Sequence, residues 1–105
     1  MLNKKFCDNR ITLQLEAEYL VASNCKVLVE KANNLIASEA NFNEIILDMS
    51  NVKIINSMGI TFVICLYKTA INSGRTYKVV GINSDIERLF EIMRLNDIFP
   101  IEITK

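Results

Sequence analysis

The stretch that decides the fold runs Ile45-Ile46-Leu47-Asp48-Met49-Ser50, then Ile54-Ile55, then Asn56-Ser57-Met58-Gly59-Ile60. Its first part is a continuous apolar run bounded by polar residues, which predicts a central strand over Glu44–Met49 covered on both faces. A short polar break at Ser50-Asn51 precedes the second apolar pair. Ser57 sits where a helix N-cap belongs, with Gly59 in the first turn. The residues from Ser57 to Ser73 are apolar nearly all round (Ile60, Phe62, Val63, Ile64, Cys65, Leu66, Tyr67, Ala70, Ile71). Their β-branched content suits a strand, but their length predicts a helix, mostly buried, ended by Gly74.

Outward from this stretch the pattern alternates. Ile11, Leu13 and Leu15 interleave with Thr12, Gln14 and Glu16, the period of a strand with one wet face. Cys25, Leu28, Val29, Ala32, Leu35 and Ile36 recur at helical spacing, predicting an amphipathic helix from about Ser23 to Ser38. Thr76–Ile82 reads as another strand. Ser84-Asp85-Ile86-Glu87 reads as a capping box, with Ser84 as the cap and a helix continuing to about Leu95. Ile101 and Ile103 form a closing strand. Strands and helices in this order imply an α/β domain with a largely parallel sheet.

Composition narrows the functions open to such a domain. The chain has 105 residues, one domain's worth, and half are hydrophobic. Twelve basic residues balance twelve acidic ones, and the signs interleave. That argues against nucleic-acid binding and against attraction to an anionic membrane. There is no histidine, which removes the Ser-His-Asp and Cys-His arrangements and imidazole metal sites. The three cysteines (Cys7, Cys25 and Cys65) are widely spaced, odd in number and free of any C-x-x-C pair. They suggest neither a disulfide framework nor a zinc site, and a reducing cytoplasm is expected. No apolar signal core follows Lys4-Lys5, and the longest uncharged stretch, Ile54–Tyr67, is too short to span a bilayer. No P-loop pattern occurs. An enzyme is not expected, and no metal or cofactor is implied.

Ser57 is the residue with chemistry to offer. A helix N-terminus has free N–H groups and positive dipole potential, so a phosphate on Ser57 would meet backbone donors there. The plainer reading is a cap worth about 1 kcal/mol. Asn56 is expected to orient the loop by side-chain hydrogen bonds, or to touch a partner. Met58 is either an adaptable apolar contact or core filler. Asp48, at the end of its strand, should hydrogen-bond the loop that follows. Cys65 reads as a small core residue.

Taken together, Ile45–Ser50, Asn56–Ile60, Tyr67-Lys68, Gly74 and Arg88–Leu95 resemble the STAS domain, the family of bacterial anti-sigma factor antagonists and of the cytoplasmic tails of sulphate transporters. The resemblance covers nearly the whole chain, 1–105, and is firmest from Ile45 to Phe99. It implies a single STAS-type domain: a mostly parallel central sheet of four to five strands flanked by about three helices. In the antagonist branch the first Ser of D-S-S-G or D-S-T-G is phosphorylated, and the matching residue is Ser57. The resemblance thus implies a cytoplasmic partner switch. An anti-sigma factor with serine kinase activity binds the unmodified protein, phosphorylation breaks the complex, and a serine phosphatase resets it. The implied partner surface comprises Ala17, Glu18, Tyr19 and Leu20 with Asn56, Met58, Gly59 and Ile60. The family's Asp before the phosphorylated Ser is Asn56 here, its next Ser or Thr is Met58, and Ala17-Glu18-Tyr19-Leu20 replaces a common G-E-L-D. Those changes favour the other class of role, a non-phosphorylated subunit of a transporter or stress-sensing complex. The retained Ser57 and Gly59 favour the switch.

Overall fold

A computed structural model describes residues 2–16, 18–20, 22–37 and 42–103, with the backbone alone at 7, 20, 22–26 and 103. The elements are β1 (Leu2–Cys7), β2 (Arg10–Leu15), β3 (Tyr19–Leu20), α1 (Ala22–Ala37), β4 (Glu44–Asp48), β5 (Ile54–Ile55), α2 (Ser57–Asn72), β6 (Thr76–Ile82), α3 (Ser84–Ile92), a 3-10 turn (Leu95–Asp97) and β7 (Ile101–Ile103). Five strands form one sheet in the order β1-β2-β4-β6-β7. Every pairing in it is parallel except β1 with β2. The expected sheet and its flanking helices are therefore present.

The antiparallel edge comes from a hairpin that the alternation did not predict. Cys7 pairs with Arg10, and the two residues between them, Asp8 and Asn9, both have positive φ, at 51° and 64°. That is the backbone a two-residue hairpin needs, and Asp and Asn tolerate it better than other non-glycine residues.

The sheet is covered on one face rather than two. Ile11, Leu13, Leu15, Ile45, Leu47, Tyr77 and Val79 are buried, whereas Thr12, Gln14, Ile46, Lys78 and Val80 on the opposite face are only half-buried. The expectation that β4 is covered on both sides is thus corrected. Its neighbours in register explain why: Ile46 lies between Thr12 and Lys78, which need water or polar partners. Helix α1 contributes Leu28, Ala32 and Ile36 to the single core, and α2 contributes Ile60, Phe62, Val63, Leu66 and Ala70. Tyr77 reaches across the core to donate its hydroxyl to the Val63 carbonyl at 3.0 Å. Cys65 is half-buried rather than in the core.

Helix α2 ends as its sequence predicted. Gly74 adopts φ +74°. Its N–H bonds to the Ile71 carbonyl at 3.0 Å and that of Arg75 to the Ala70 carbonyl at 2.8 Å, a Schellman closure. Helix α3 stops at Ile92, three residues short of the expectation, because Arg94 turns left-handed at φ 57°. No described helix is long and apolar enough to cross a membrane.

Candidate functional site

The site residues come together at the end of the sheet where β4 and β6 finish. The turn after β4 is tied down first. Asp48 accepts from the Ser50 backbone N–H at 2.9 Å and also from the Ser50 hydroxyl, as expected for a carboxylate at a strand end. Asn51 then donates to the Leu15 carbonyl at 3.2 Å. This turn packs so closely on β6 that a Cβ on Gly81 would lie 2.9 Å from the Ser50 nitrogen, and Gly81 has φ +78°. Only glycine meets both demands without strain.

From that turn the chain enters β5, which pairs in parallel with β3. Tyr19 lies opposite Ile54, and Leu20 opposite Ile55. The Glu18 carbonyl accepts from the N–H groups of Lys53 at 2.7 Å and Ile54 at 3.1 Å. The Glu18 carboxylate also pairs with Lys53 at 3.4 Å. This two-strand ribbon, which the sequence did not announce, joins the two halves of the expected partner surface. Glu18-Tyr19-Leu20 is held beside Ile54-Ile55, and Ile55 is followed directly by Asn56. Ala17 lies outside the described residues, as does the side chain of Leu20.

At the start of α2 the cap is Asn56 and not Ser57. The Asn56 side-chain oxygen accepts from the N–H groups of Met58 at 3.0 Å and Gly59 at 3.1 Å. Its backbone carbonyl accepts from Ile60 at 3.1 Å. Ser57 is the first helical residue, exposed, and its carbonyl receives the Thr61 hydroxyl at 3.0 Å. The reading of Ser57 as the cap is therefore corrected by one residue. The amides of Met58 and Gly59 also already have an acceptor. A phosphate on Ser57 would feel the favourable dipole of the helix start but would have to compete with Asn56 for those donors.

The same substitution of roles occurs at α3. Asn83 caps it, accepting from Ile86 N–H at 2.8 Å, and Ser84 is the first helical residue. The expected capping box on Ser84 is corrected accordingly. Asparagine has an advantage here over serine. Its oxygen caps while its NH2 group donates to the carbonyls of Lys53 at 3.2 Å and Val52 at 3.5 Å. One side chain thus fastens α3 to the segment leading into β5.

The β3–β5 ribbon and the first turn of α2 carry exposed apolar side chains. Tyr19 and Ile54 are each 53% exposed and Met58 is 46% exposed, so Met58 is not core filler. Gly59 and Ile60 are buried. Ile54 was missed in the sequence as a surface residue, because an apolar pair reads as buried. The signal was the length of the pair: a two-residue strand beside exposed Lys53 cannot bury both faces. Among the described residues there is no cluster of His, Cys, Asp and Glu suited to a metal ion.

The sequence pattern of the STAS domain matches residues 3–105. No curated protein matches the sequence. Solved structures do match the fold. A candidate anti-sigma factor antagonist of Thermotoga maritima superposes with a TM-score of 0.81 at 21% identity, over 98% of this chain and 86% of that one. The Bacillus cell fate determinant SpoIIAA in its phosphorylated form does so with a TM-score of 0.73 at 10% identity, over 100% and 92%. The murine Solute Carrier 26 member A9 anion transporter matches with a TM-score of 0.76 at 19% identity, over 89% of this chain but 15% of the transporter. At these identities the likeness is one of fold.

Proposed function

Because the chain belongs to the STAS domain family, we propose that it is a bacterial regulatory binding module of the anti-sigma factor antagonist kind, switched by phosphorylation of Ser57. STAS domains are generally non-catalytic binding modules, and in this reading the chain (1–105 as one domain) is a cytoplasmic kinase substrate and not itself an enzyme. Unmodified, it binds an anti-sigma factor with serine kinase activity. Phosphorylated, it is released until a serine phosphatase restores it. The observation that carries this is the placement of Ser57: exposed, first in α2, next to exposed Met58, and directly after the β3–β5 ribbon that carries exposed Tyr19 and Ile54. A phosphate there adds a charge of roughly −1.5 to −2 to a surface that a partner must dehydrate. The Thermotoga maritima structure, a candidate anti-sigma factor antagonist, supports the same reading.

Asn56 and Met58 support a second reading, in which the domain is a non-phosphorylated subunit of a transporter or stress-sensing complex. They leave the Ser57 turn without the acidic and second hydroxyl groups of the family pattern. The transporter among the structural relatives carries the same fold.

Co-purification from native cells separates the two. The switch predicts that the wild-type protein brings down a soluble serine-kinase-like protein and that Ser57→Asp loses it. A membrane complex retained by both forms would replace the switch with the subunit reading.

A further inference from the structure

We propose that the groove between β5 and the first turns of α3 is a second part of the partner surface, and that it takes an apolar side chain of the protein partner with a basic residue beside it. This rests on the binding-module reading and names the chemistry of the partner. The groove is open to solvent, has a volume of about 190 Å³ and is lined by Lys53, Ile54, Ile55, Asp85, Ile86 and Leu89. Ile86 is its buried floor, Ile55 and Leu89 are half-buried, and Ile54 stands open at the rim.

Three observations carry the inference. The groove is built before any partner arrives. Asn83 caps α3 at Ile86 and holds the Lys53 carbonyl at 3.2 Å, so one side chain spans both walls. A preformed groove avoids part of the ordering cost of binding. The groove is also continuous with the Ser57 surface, because Ile54 faces Tyr19 across β3–β5 and Ile55 directly precedes Asn56. Clustered exposed apolar side chains of this sort mark interaction sites rather than ordinary surface. Finally, the rim carries one cation, Lys53, and one carboxylate, Asp85. Lys53 is matched by Glu18 at 3.4 Å, whereas exposed Asp85 has no ion-pair partner among the described residues. The complement of an apolar floor with one unmatched carboxylate is an apolar anchor flanked by a cation.

The test uses the full chain and the serine-kinase-like protein that the wild type captures and Ser57→Asp does not. Its affinity is measured with purified Leu89→Arg and Asp85→Lys. The expected losses are at least about 10-fold for Leu89→Arg and about 5-fold for Asp85→Lys, with thermal unfolding showing that each variant is folded. If Leu89→Arg does not fold, Asp85→Lys, at an exposed position outside the Ser57 surface, decides the matter. Wild-type affinity in these variants, with binding still lost in Ser57→Asp, overturns the groove and leaves the switch intact. A concentration-dependent dimer of this chain that Leu89→Arg abolishes overturns it in favour of self-association. Capture of no kinase-like protein overturns both readings.

Discussion

The side-chain oxygen of Asn56 lies 3.0 Å from the backbone nitrogen of Met58, so the residue between them, Ser57, is carried past the cap into the first turn of α2. This relationship presents the Ser57 hydroxyl to solvent while the turn beneath it is already closed. It also gives Asn56 a role that the acidic residue of the family pattern could fill equally well. Asp and Asn both cap helices, and they differ here in charge.

Replacing Asn56 therefore separates capping from charge. Asn56→Ala is expected to destabilise the fold by about 1 kcal/mol, since two amides lose their acceptor. Asn56→Asp keeps the acceptor and adds a negative charge at a helix start, for a gain of about 0.3–1 kcal/mol at low salt. Urea unfolding of the two variants beside the wild type measures both. Equal stability in all three would contradict the capping geometry.

The two positive-φ glycines should respond unequally to alanine. Gly74 has nothing within 4 Å of an added Cβ, so Gly74→Ala carries only the left-handed backbone cost, about 1 kcal/mol. At Gly81 the same cost is joined by a contact of 2.9 Å with the Ser50 backbone. Gly81→Ala should lose more than about 2 kcal/mol and disturb the turn that leads to β5. Thermal unfolding and amide hydrogen exchange at Ser50–Lys53 check this.

Arg94 offers the opposite case. It holds φ 57° between α3 and the 3-10 turn without being glycine. Arg94→Gly is expected to raise stability by several tenths of a kcal/mol, the relief of left-handed strain less the added freedom of the unfolded chain. A drop in stability would mean that the arginine side chain contributes more than its backbone costs.

Tyr77 makes stability depend on pH at the alkaline end. Burial raises its phenol well above the ordinary value of 10.0. Above about pH 10 the unfolded chain releases this proton while the folded chain keeps it, so unfolding is favoured as pH rises. The contribution is complete below pH 10 and is lost progressively above it. Tyr77→Phe should cost about 1 kcal/mol at neutral pH through the lost bond to Val63. The gap between wild type and variant should narrow above pH 10, as followed by denaturant titration at a series of pH values.

Much of the fold was legible because burial repeats with a period. Leu28, Ala32 and Ile36 mark α1, the alternation of Ile11, Leu13 and Leu15 marks β2, and Thr76–Ile82 was read at its true boundaries. What was not legible depends on single side chains that choose between equivalent partners. Asn56-Ser57 and Asn83-Ser84 each contain two good caps, and the sequence does not say which is used. At Asn83 the tertiary carbonyls of Val52 and Lys53 settle it. The β3–β5 ribbon is equally hidden, since two-residue strands have no measurable period. Yet that ribbon sets Tyr19 opposite Ile54, on the segment that leads directly into Asn56-Ser57. The two loops of the candidate site were therefore identifiable from family resemblance, whereas their junction needed the structure.

Whether Ser57 is the switch is read from the intact mass of the protein isolated from its native cells. Wild type and Ser57→Ala are compared in growing and in stressed cells. A phosphorylated switch gives a mass increase of one phosphate in part of the wild-type protein and none in the variant. No increment in the wild type under either condition, or the same increment in both proteins, would contradict it.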